Sequence, residues 1–291
     1  MYELIQVSEH DYYLDCPAKI GIVRTEAGAV LIDSGSDKDA GKKALRTLEA
    51  NGWKLNAVFH THAHADHIGG SRFLQEKTGC RVFARGIECD FANHPILEPA
   101  TLYGGCPFAE LRHKFLLAQE SRCEMLTEQV LPAGMTLLDL RGHSPEMVGF
   151  RTADGNVFPG DCVLSEQTIE KYGIGFLWDV GESLRTLETV KTLQAARFIP
   201  SHAPVTSDIA PLAQKNIDAV FRAGKVVCAA CGEGADLDTI LAQVFTVYGL
   251  TMNAQQYALI GATVRSYLSW LMAEGRVSAS VKENRMYWAR T

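Results

Sequence analysis

The segment His62-Ala63-His64-Ala65-Asp66-His67 places four metal-binding side chains in six positions, directly after the apolar run Leu55-Asn56-Ala57-Val58-Phe59. A run of that length and composition reads as a buried strand. One histidine after a strand is usually a surface or satisfied core residue, but packing does not ask for this density of titratable groups. Imidazole and carboxylate together suit zinc, iron or manganese. The fold must therefore leave the end of this strand open to a ligand, as a mostly parallel α/β sheet does at the carboxyl ends of its strands. Three more candidates obey the same rule. His143 follows a predicted strand at 136–140, Asp161 one at 157–158 and His202 one at 198–199, so five of the nine histidines join one pattern.

The first half of the chain alternates strands and helices. Strands are predicted at 19–24 and 29–32, separated by a turn at Glu26-Ala27-Gly28. Ser36 or Asp37 caps a helix that Gly52 stops. A helix at 70–77 and a strand at 81–84 follow. From Glu88 to Arg122 the strand rhythm stops. Pro95, Pro99, Gly104, Gly105 and Pro107 suggest a loop, followed by a helix over 107–118 with Pro107 in its first turn. Residues 88–130 read as an insertion over one face of the sheet. A helix at 182–195 precedes the last strand. Beyond 205 helical periodicity takes over, at 209–228, 237–247 and 254–273, and the chain closes with two short extended pieces around Lys282-Glu283-Asn284-Arg285. Two units follow: a catalytic domain over 1–207 and a small, mainly helical, winged-helix-like domain over 208–291.

The run His62-x-His64-x-Asp66-His67, with His143, Asp161 and His202 after it, resembles the metallo-β-lactamase superfamily over roughly residues 2–205. Asp33, in Leu31-Ile32-Asp33-Ser34-Gly35, matches that family's early strand-end aspartate, which lies beside the metal loop rather than on the metal. The resemblance implies an αββα sandwich of two sheets between helical layers. It implies one metal on His62, His64 and His143, a second on Asp66, His67 and His202, and Asp161 bridging the two. Two cations about 3.5–4 Å apart would lower the pKa of a shared water and make hydroxide at neutral pH. They would also absorb the charge that develops on a carbonyl or phosphoryl oxygen. Asp66 is the expected catalytic residue, binding the second metal through one oxygen and orienting the hydroxide through the other. Asp33 is the candidate for fixing an imidazole tautomer.

Details narrow the reading. The well-known zinc β-lactamases carry a cysteine where this chain has Asp161, and the adjacent Cys162 is expected to point away from the site, so antibiotic hydrolysis is disfavoured. Flavin-linked diiron relatives carry a carboxylate in place of His64, and no flavodoxin-like segment follows. Glu146 and Met147 replace the Gly and His of the glyoxalase II run Gly-His-Thr-Pro-Gly-His, which weakens that assignment without touching His143. Tyr103, Phe108 and Phe115 in the insertion, and Lys171 and Tyr172 after Asp161, are candidate pocket residues. Their alternatives are helix packing, loop closure and solvation. Cys228-x-x-Cys231 has no partner pair for a structural zinc and reads as a buried pair near a helix end.

Composition excludes other classes. The net charge of −6 argues against a general attraction to nucleic acid or anionic lipid. The last 86 residues carry eight Lys/Arg and seven Asp/Glu, too balanced for a DNA-reading module. A packing or homodimerisation module beside the active site is expected instead. No run of about 18 apolar residues appears, the first residues lack the pattern of a signal peptide, and eight scattered cysteines suit reduced thiols. A cytoplasmic protein without membrane or nucleic-acid partners is expected. Its expected activity is hydrolysis of a small ester, thioester or lactone by a dinuclear centre, with two Zn2+ as cofactor and iron or manganese as alternatives. Other readings are a mononuclear iron sulfur (persulfide) dioxygenase, a metal-dependent phosphodiesterase or nuclease, and a non-enzymatic DNA-binding regulator.

Overall fold

A computed structural model describes residues 2–291; residue 1, where the expected catalytic domain begins, lies outside the described residues. Seven strands form the first sheet: β1 (Glu3–Gln6), β2 (Asp11–Asp15), β3 (Ile20–Thr25), β4 (Gly28–Ile32), β5 (Leu55–Phe59), β6 (Arg81–Ala84) and β7 (Cys123–Met125), paired in chain order. Pairs up to β3–β4 are antiparallel and those from β4–β5 onward are parallel. A three-stranded antiparallel sheet follows, with β9 (Val148–Arg151) between β8 (Thr136–Asp139) and β10 (Val157–Phe158). The expected mostly parallel sheet is thus parallel only in the half that carries the histidine cluster.

Period-two alternation along the strands sets the layers. Ile20 and Ile22, Leu31, Val58 and Val82 face outward and are covered by α1 (Lys38–Ala50) and α3 (Ser71–Thr78) through Ala40, Ala44, Leu48, Phe73 and Leu74. Their neighbours Val23, Val30, Ile32, Phe59 and Phe83 face inward and meet Val148, Phe150 and Phe158 of the second sheet. Gly21 lets the sheets approach closely there, because a Cβ at that position would lie 2.7 Å from the Phe158 ring. The outer face of the second sheet is covered by α7 (Val180–Thr192) and the C-terminal helices. This is the αββα order.

Asp37 rather than Ser36 caps α1, accepting from the backbone N–H of Asp39 and Ala40 at 3.0 Å. Two expectations fail in the insertion. The proline-rich stretch holds helices α4 (Gly86–Asn93) and α5 (Leu97–Tyr103), whereas the expected helix over 107–118 is only a 3-10 turn at Ala109–Leu111. Pro95 lies between the helices and Pro99 in the first turn of α5, where no intrahelical bond is lost. In 107–118, tertiary anchors override a marginal isolated helix. Leu111 packs with Leu102 and Ala258, and Lys114 pairs with Asp37 at 2.9 Å. The strand at 198–199 is reduced to single bridges from Phe198 to Val157 and Thr206.

After Asp161 comes α6 (Glu166–Tyr172), which Ser165 caps. The C-terminal part contains α8 (Ala210–Cys231), α9 (Leu237–Tyr248), α10 (Ala254–Ala273) and the hairpin β11 (Val277–Lys282) and β12 (Arg285–Arg290). Asp236 and Asn253 cap α9 and α10. The order of three helices and a hairpin is the expected one. One apolar cluster runs from Leu140 and Met147 through Val180 and Leu187 to Ile217, Val264 and Val277, across the expected boundary at 207–208. Cys228 and Cys231 are buried in the last turn of α8. Among the described residues no helix is long and apolar enough to cross a membrane.

Candidate metal centre

β5 delivers the cluster. Past Phe59 the chain enters His60-Thr61-His62, and α2 (Ala65–Ile68) carries Asp66 and His67. Asp33, at the end of β4, sits underneath in left-handed backbone with φ 62°. Its Oδ1 accepts the Thr61 N–H and its Oδ2 the Thr61 hydroxyl, both at 2.8 Å. The Thr61 hydroxyl, having donated, is free to accept from His62 Nδ1 at 2.9 Å. Gly70 allows the following turn to press onto Ser34, whose carbonyl oxygen would lie 2.4 Å from a Cβ there.

Three more of the imidazoles are held as His62 is, through Nδ1; His64 is the exception, its Nδ1 facing inward. His67 Nδ1 donates to Asp33 Oδ2 at 2.9 Å, His143 Nδ1 to the Phe176 carbonyl at 3.2 Å and His202 Nδ1 to the Pro17 carbonyl at 2.7 Å. These acceptors engage Nδ1 and turn Nε2 of each ring inward. Nε2 of His62 and of His67 and Oδ1 of Asp161 are buried without any hydrogen-bond partner. His143 Nε2 lies 3.0 Å from His64 Nδ1. Two ring nitrogens so close, facing orphaned acceptors, fit a cation that accepts every lone pair.

Three donor groups converge: His62, His64 and His143; His62, His67 and Asp161; Asp66, His67 and His202. They contain all seven expected ligands, and Asp161 shares its group with His62 and His67, one residue from each of the other two groups. Its Oδ2 stands 3.3 Å from His67 Nε2, 3.3 Å from His202 Nε2 and 3.8 Å from His143 Nε2.

The groups divide electrostatically. Burial depresses His62, His64 and His143, His64 to about 3, so these imidazoles are neutral, the form that can hold a metal. In the second group Asp161 raises His202 to about 10. Burial opposes charge on His67, but Asp161, Asp66 and Asp33 raise it well above the ordinary range. Burial likewise opposes ionisation of Asp66 and Asp161, yet His67 and His202 hold Asp66 at about 2 and Asp161 well below the usual carboxylate range. Protons on His67 and His202 balance the carboxylates in the place a cation would take.

Several supports carried no sequence signal. Glu88 of α4 accepts the Ala63 N–H at 2.9 Å through Oε2, and the Ser144 hydroxyl at 2.7 Å and Glu146 N–H at 3.0 Å through Oε1. It ties the loop of His62 to that of His143. Glu98 of α5 accepts the Ala65 N–H at 2.9 Å. Burial raises the pKa of both carboxyls. Thr61, next to a ligand, was the one support the sequence could have suggested.

A cavity of about 20 Å³ lies against His64 and is walled by Phe176, Leu102 and Trp178. A groove of about 910 Å³ adjoins it, and Tyr103 lines that groove with its ring 5.2 Å from Phe108. Phe115 is 60% exposed. Lys171 and Tyr172 lie at the end of α6, with the Lys171 Nζ 4.8 Å over the Tyr172 ring, and line neither space.

The family model described as the metallo-beta-lactamase superfamily matches residues 14–202, a span that contains every one of these ligands. The chain belongs to the metallo-beta-lactamase superfamily. Within it, the chain is similar to a hydroxyacylglutathione hydrolase of Methylococcus capsulatus, 30% identical over 154 residues covering 52% of this chain and 49% of the relative. It is also similar to a beta-lactamase-like protein 2 homolog of Drosophila melanogaster, 25% identical over 62% of this chain and 56% of the relative. The chain thus spans about half the length of these curated relatives. A beta-lactamase domain protein from Burkholderia ambifaria has the same fold, with TM-score 0.74 at 18% identity over 99% of this chain and 94% of the other. That likeness extends through the C-terminal helices. Membership of the superfamily and the convergent donors together make this a metal site.

Proposed function

We propose that the protein is a dinuclear metal-dependent hydrolase of a small ester, thioester or lactone, with zinc as its metal. One observation carries the reading. Buried, unpartnered donor atoms of His62, His67 and Asp161 converge while the outer nitrogens of His62 and His67 are hydrogen-bonded away from them. In this reading His62, His64 and His143 hold one cation, Asp66, His67 and His202 hold the other, and Asp161 joins both. Bound there, the cations supply a nucleophilic water at neutral pH and polarise the acyl oxygen.

The chain's own residues do the rest. Asp66 is held ionised and is only partly covered, so its carboxylate can orient the attacking water. Asp33, Thr61 and the carbonyls of Phe176 and Pro17 hold the rings in place. Phe176 stacks edge-on against His64, ring centres 5.3 Å apart, and shields the site from bulk water. The relative named for hydrolysis of hydroxyacylglutathione supports an acyl substrate, and the complete second donor set favours two metals over the mononuclear dioxygenase.

The test is elemental analysis of protein purified without chelator or metal resin, with a panel of thioesters, lactones and aryl esters. About two zinc ions per chain and turnover abolished by chelation are expected, and His62→Ala should lose metal. Absence of metal-dependent turnover across the panel would overturn the proposal.

A further inference from the structure

Within the group of Asp66, His67 and His202, the three donors are not equally secured. Asp66 and His67 share α2, and His67 is fully buried against Asp33. His202 lies on residues 199–205, which belong to no helix or strand. The segment is tied to the second sheet only by the single bridge from Phe198 to Val157 and by the Ser201 N–H, which reaches the Gly160 carbonyl at 3.2 Å. Accordingly the His202 side chain is 27% exposed, against 0% for His67.

What holds the His202 segment is the turn at 16–19 between β2 and β3, 185 residues away in the chain. His202 Nδ1 donates to the Pro17 carbonyl at 2.7 Å, the Lys19 N–H to the Ser201 carbonyl at 3.1 Å and the Lys19 ammonium to the Ala203 carbonyl at 2.8 Å. Lys19 thus grips the residues on both sides of His202. A lysine with no task here would turn its head into water. This one is partly buried, burial lowers its pKa, and no carboxylate pairs with it among the described residues. Its charge goes into a bond to a carbonyl, and charge-assisted hydrogen bonds are about twice as strong as neutral ones. The turn itself is braced by the Cys16 thiol, 3.0 Å from the Ala18 carbonyl and 3.4 Å from that of Leu14. The group of His62, His64 and His143 has its supports elsewhere, in Thr61, Glu88 and the Phe176 carbonyl.

We propose that Lys19 is the positioning residue for His202 and thereby decides whether the centre holds one metal or two. With the turn docked, His202 Nε2 stands 3.2 Å from Asp66 Oδ2 and 3.3 Å from Asp161 Oδ2, and the second donor group is complete. Without the Ala203 anchor the exposed imidazole is free to swing out, leaving Asp66 and His67 one donor short, while the first group keeps its three rings. This assignment rests on the dinuclear reading above.

The experiment titrates zinc into chelated, full-length wild type, Lys19→Met and Lys19→Arg against a chromophoric chelator. His202→Ala, which lacks the ligand itself, marks which binding step belongs to the second group, and the visible spectrum of the cobalt(II)-loaded proteins reports the geometry of each site. Wild type should take up about two zinc ions. Lys19→Met should weaken the step that His202→Ala removes by about 10–100-fold and leave the other step unchanged. It should also lose the cobalt bands that His202→Ala loses. Lys19→Arg keeps a charged donor and should restore most of both, which a merely structural loss would not do. Equal weakening of both steps, or an unchanged second step in Lys19→Met, overturns the assignment and leaves the dinuclear hydrolase standing. Uptake of a single zinc by wild type overturns the dinuclear reading and Lys19's part in it together. Two zinc ions without turnover of any ester overturn the hydrolase alone, since the titration reads Lys19 without a substrate.

Discussion

Asp33 and His67 are joined by a 2.9 Å hydrogen bond from Nδ1 to Oδ2, made by an aspartate held in left-handed backbone. The same carboxylate takes the N–H and hydroxyl of Thr61, so one buried side chain aligns the turn that leads to His62 and the ring of His67. The non-glycine residue at positive φ is explained by this position, where backbone cost is offset by four hydrogen bonds from three residues, Thr61, His67 and His60.

Asp33→Asn removes the charge behind His67 and leaves the ligands in place. Metal affinity at the Asp66, His67 and His202 group should fall about 10–100-fold. The His62, His64 and His143 group should be less affected, because of its rings only His62 depends on Asp33, and only through Thr61. Competitive titration with a chromophoric chelator reads the two affinities separately. An equal loss at both would show that Asp33 acts on the loop as a whole.

Glu88→Ala leaves the N–H groups of Ala63 and Glu146 and the Ser144 hydroxyl without their buried acceptor. A loss of about 3 kcal/mol in urea denaturation is expected. Glu88→Gln keeps one strong acceptor and should lose less. If both variants unfold like wild type, the bridge between the two ligand loops is not a stability element.

The ligands were legible because their signal is local or tied to strand ends. Four stand within six residues after β5, and His143, Asp161 and His202 follow β8, β10 and the bridge at Phe198. Glu88 was not legible, since its partners come from turns 25 to 58 residues away and nothing distinguishes it from an exposed helical glutamate. The carbonyls of Phe176 and Pro17 have no side-chain signature at all. Pro95 and Pro99 were read as breakers of regular structure although they mark helix starts, and Leu111 and Lys114 draw 107–118 off a helical path. In the C-terminal part local chemistry agreed with the fold: Asp236 and Asn253 cap helices, and Glu283-Asn284, both at positive φ, turn the hairpin.

Chelated protein should have a stability maximum near neutral pH. His202 is raised to about 10 and His67 well above its ordinary value. Their contribution is fully present below the unfolded value of about 6.5 and is lost as pH rises toward 10. His64, depressed to about 3, and His62 and His143 act in the opposite sense, opposing the fold increasingly below about 6.5. Asp66 and Asp161 add stability above about 3.9 that disappears as pH falls through their depressed values. Thermal melts from pH 5 to 10 test this. Metal replaces the protons on His67 and His202, so the alkaline decline should vanish in loaded protein; its persistence would locate the titrating groups elsewhere.

The cluster shared by Leu140, Met147, Val180, Leu187, Ile217, Val264 and Val277 gives the two parts of the chain a common core. Each fully buried Val, Leu, Ile or Met is worth roughly 1.5–3 kcal/mol, so removing 208–291 would expose enough apolar surface on α7 and the second sheet to exceed a typical domain's net stability of about 5–15 kcal/mol. Ala258 of α10 also packs on Leu102 and Leu111 of the insertion, so the same deletion would remove the support behind Leu102, which walls the cavity at His64. Calorimetry of the full chain should therefore show one cooperative transition, and a 1–207 fragment should be insoluble or unfolded. Two resolved transitions, or a folded fragment that still binds two metals, would mean that the second unit is docked on the first rather than continuous with it.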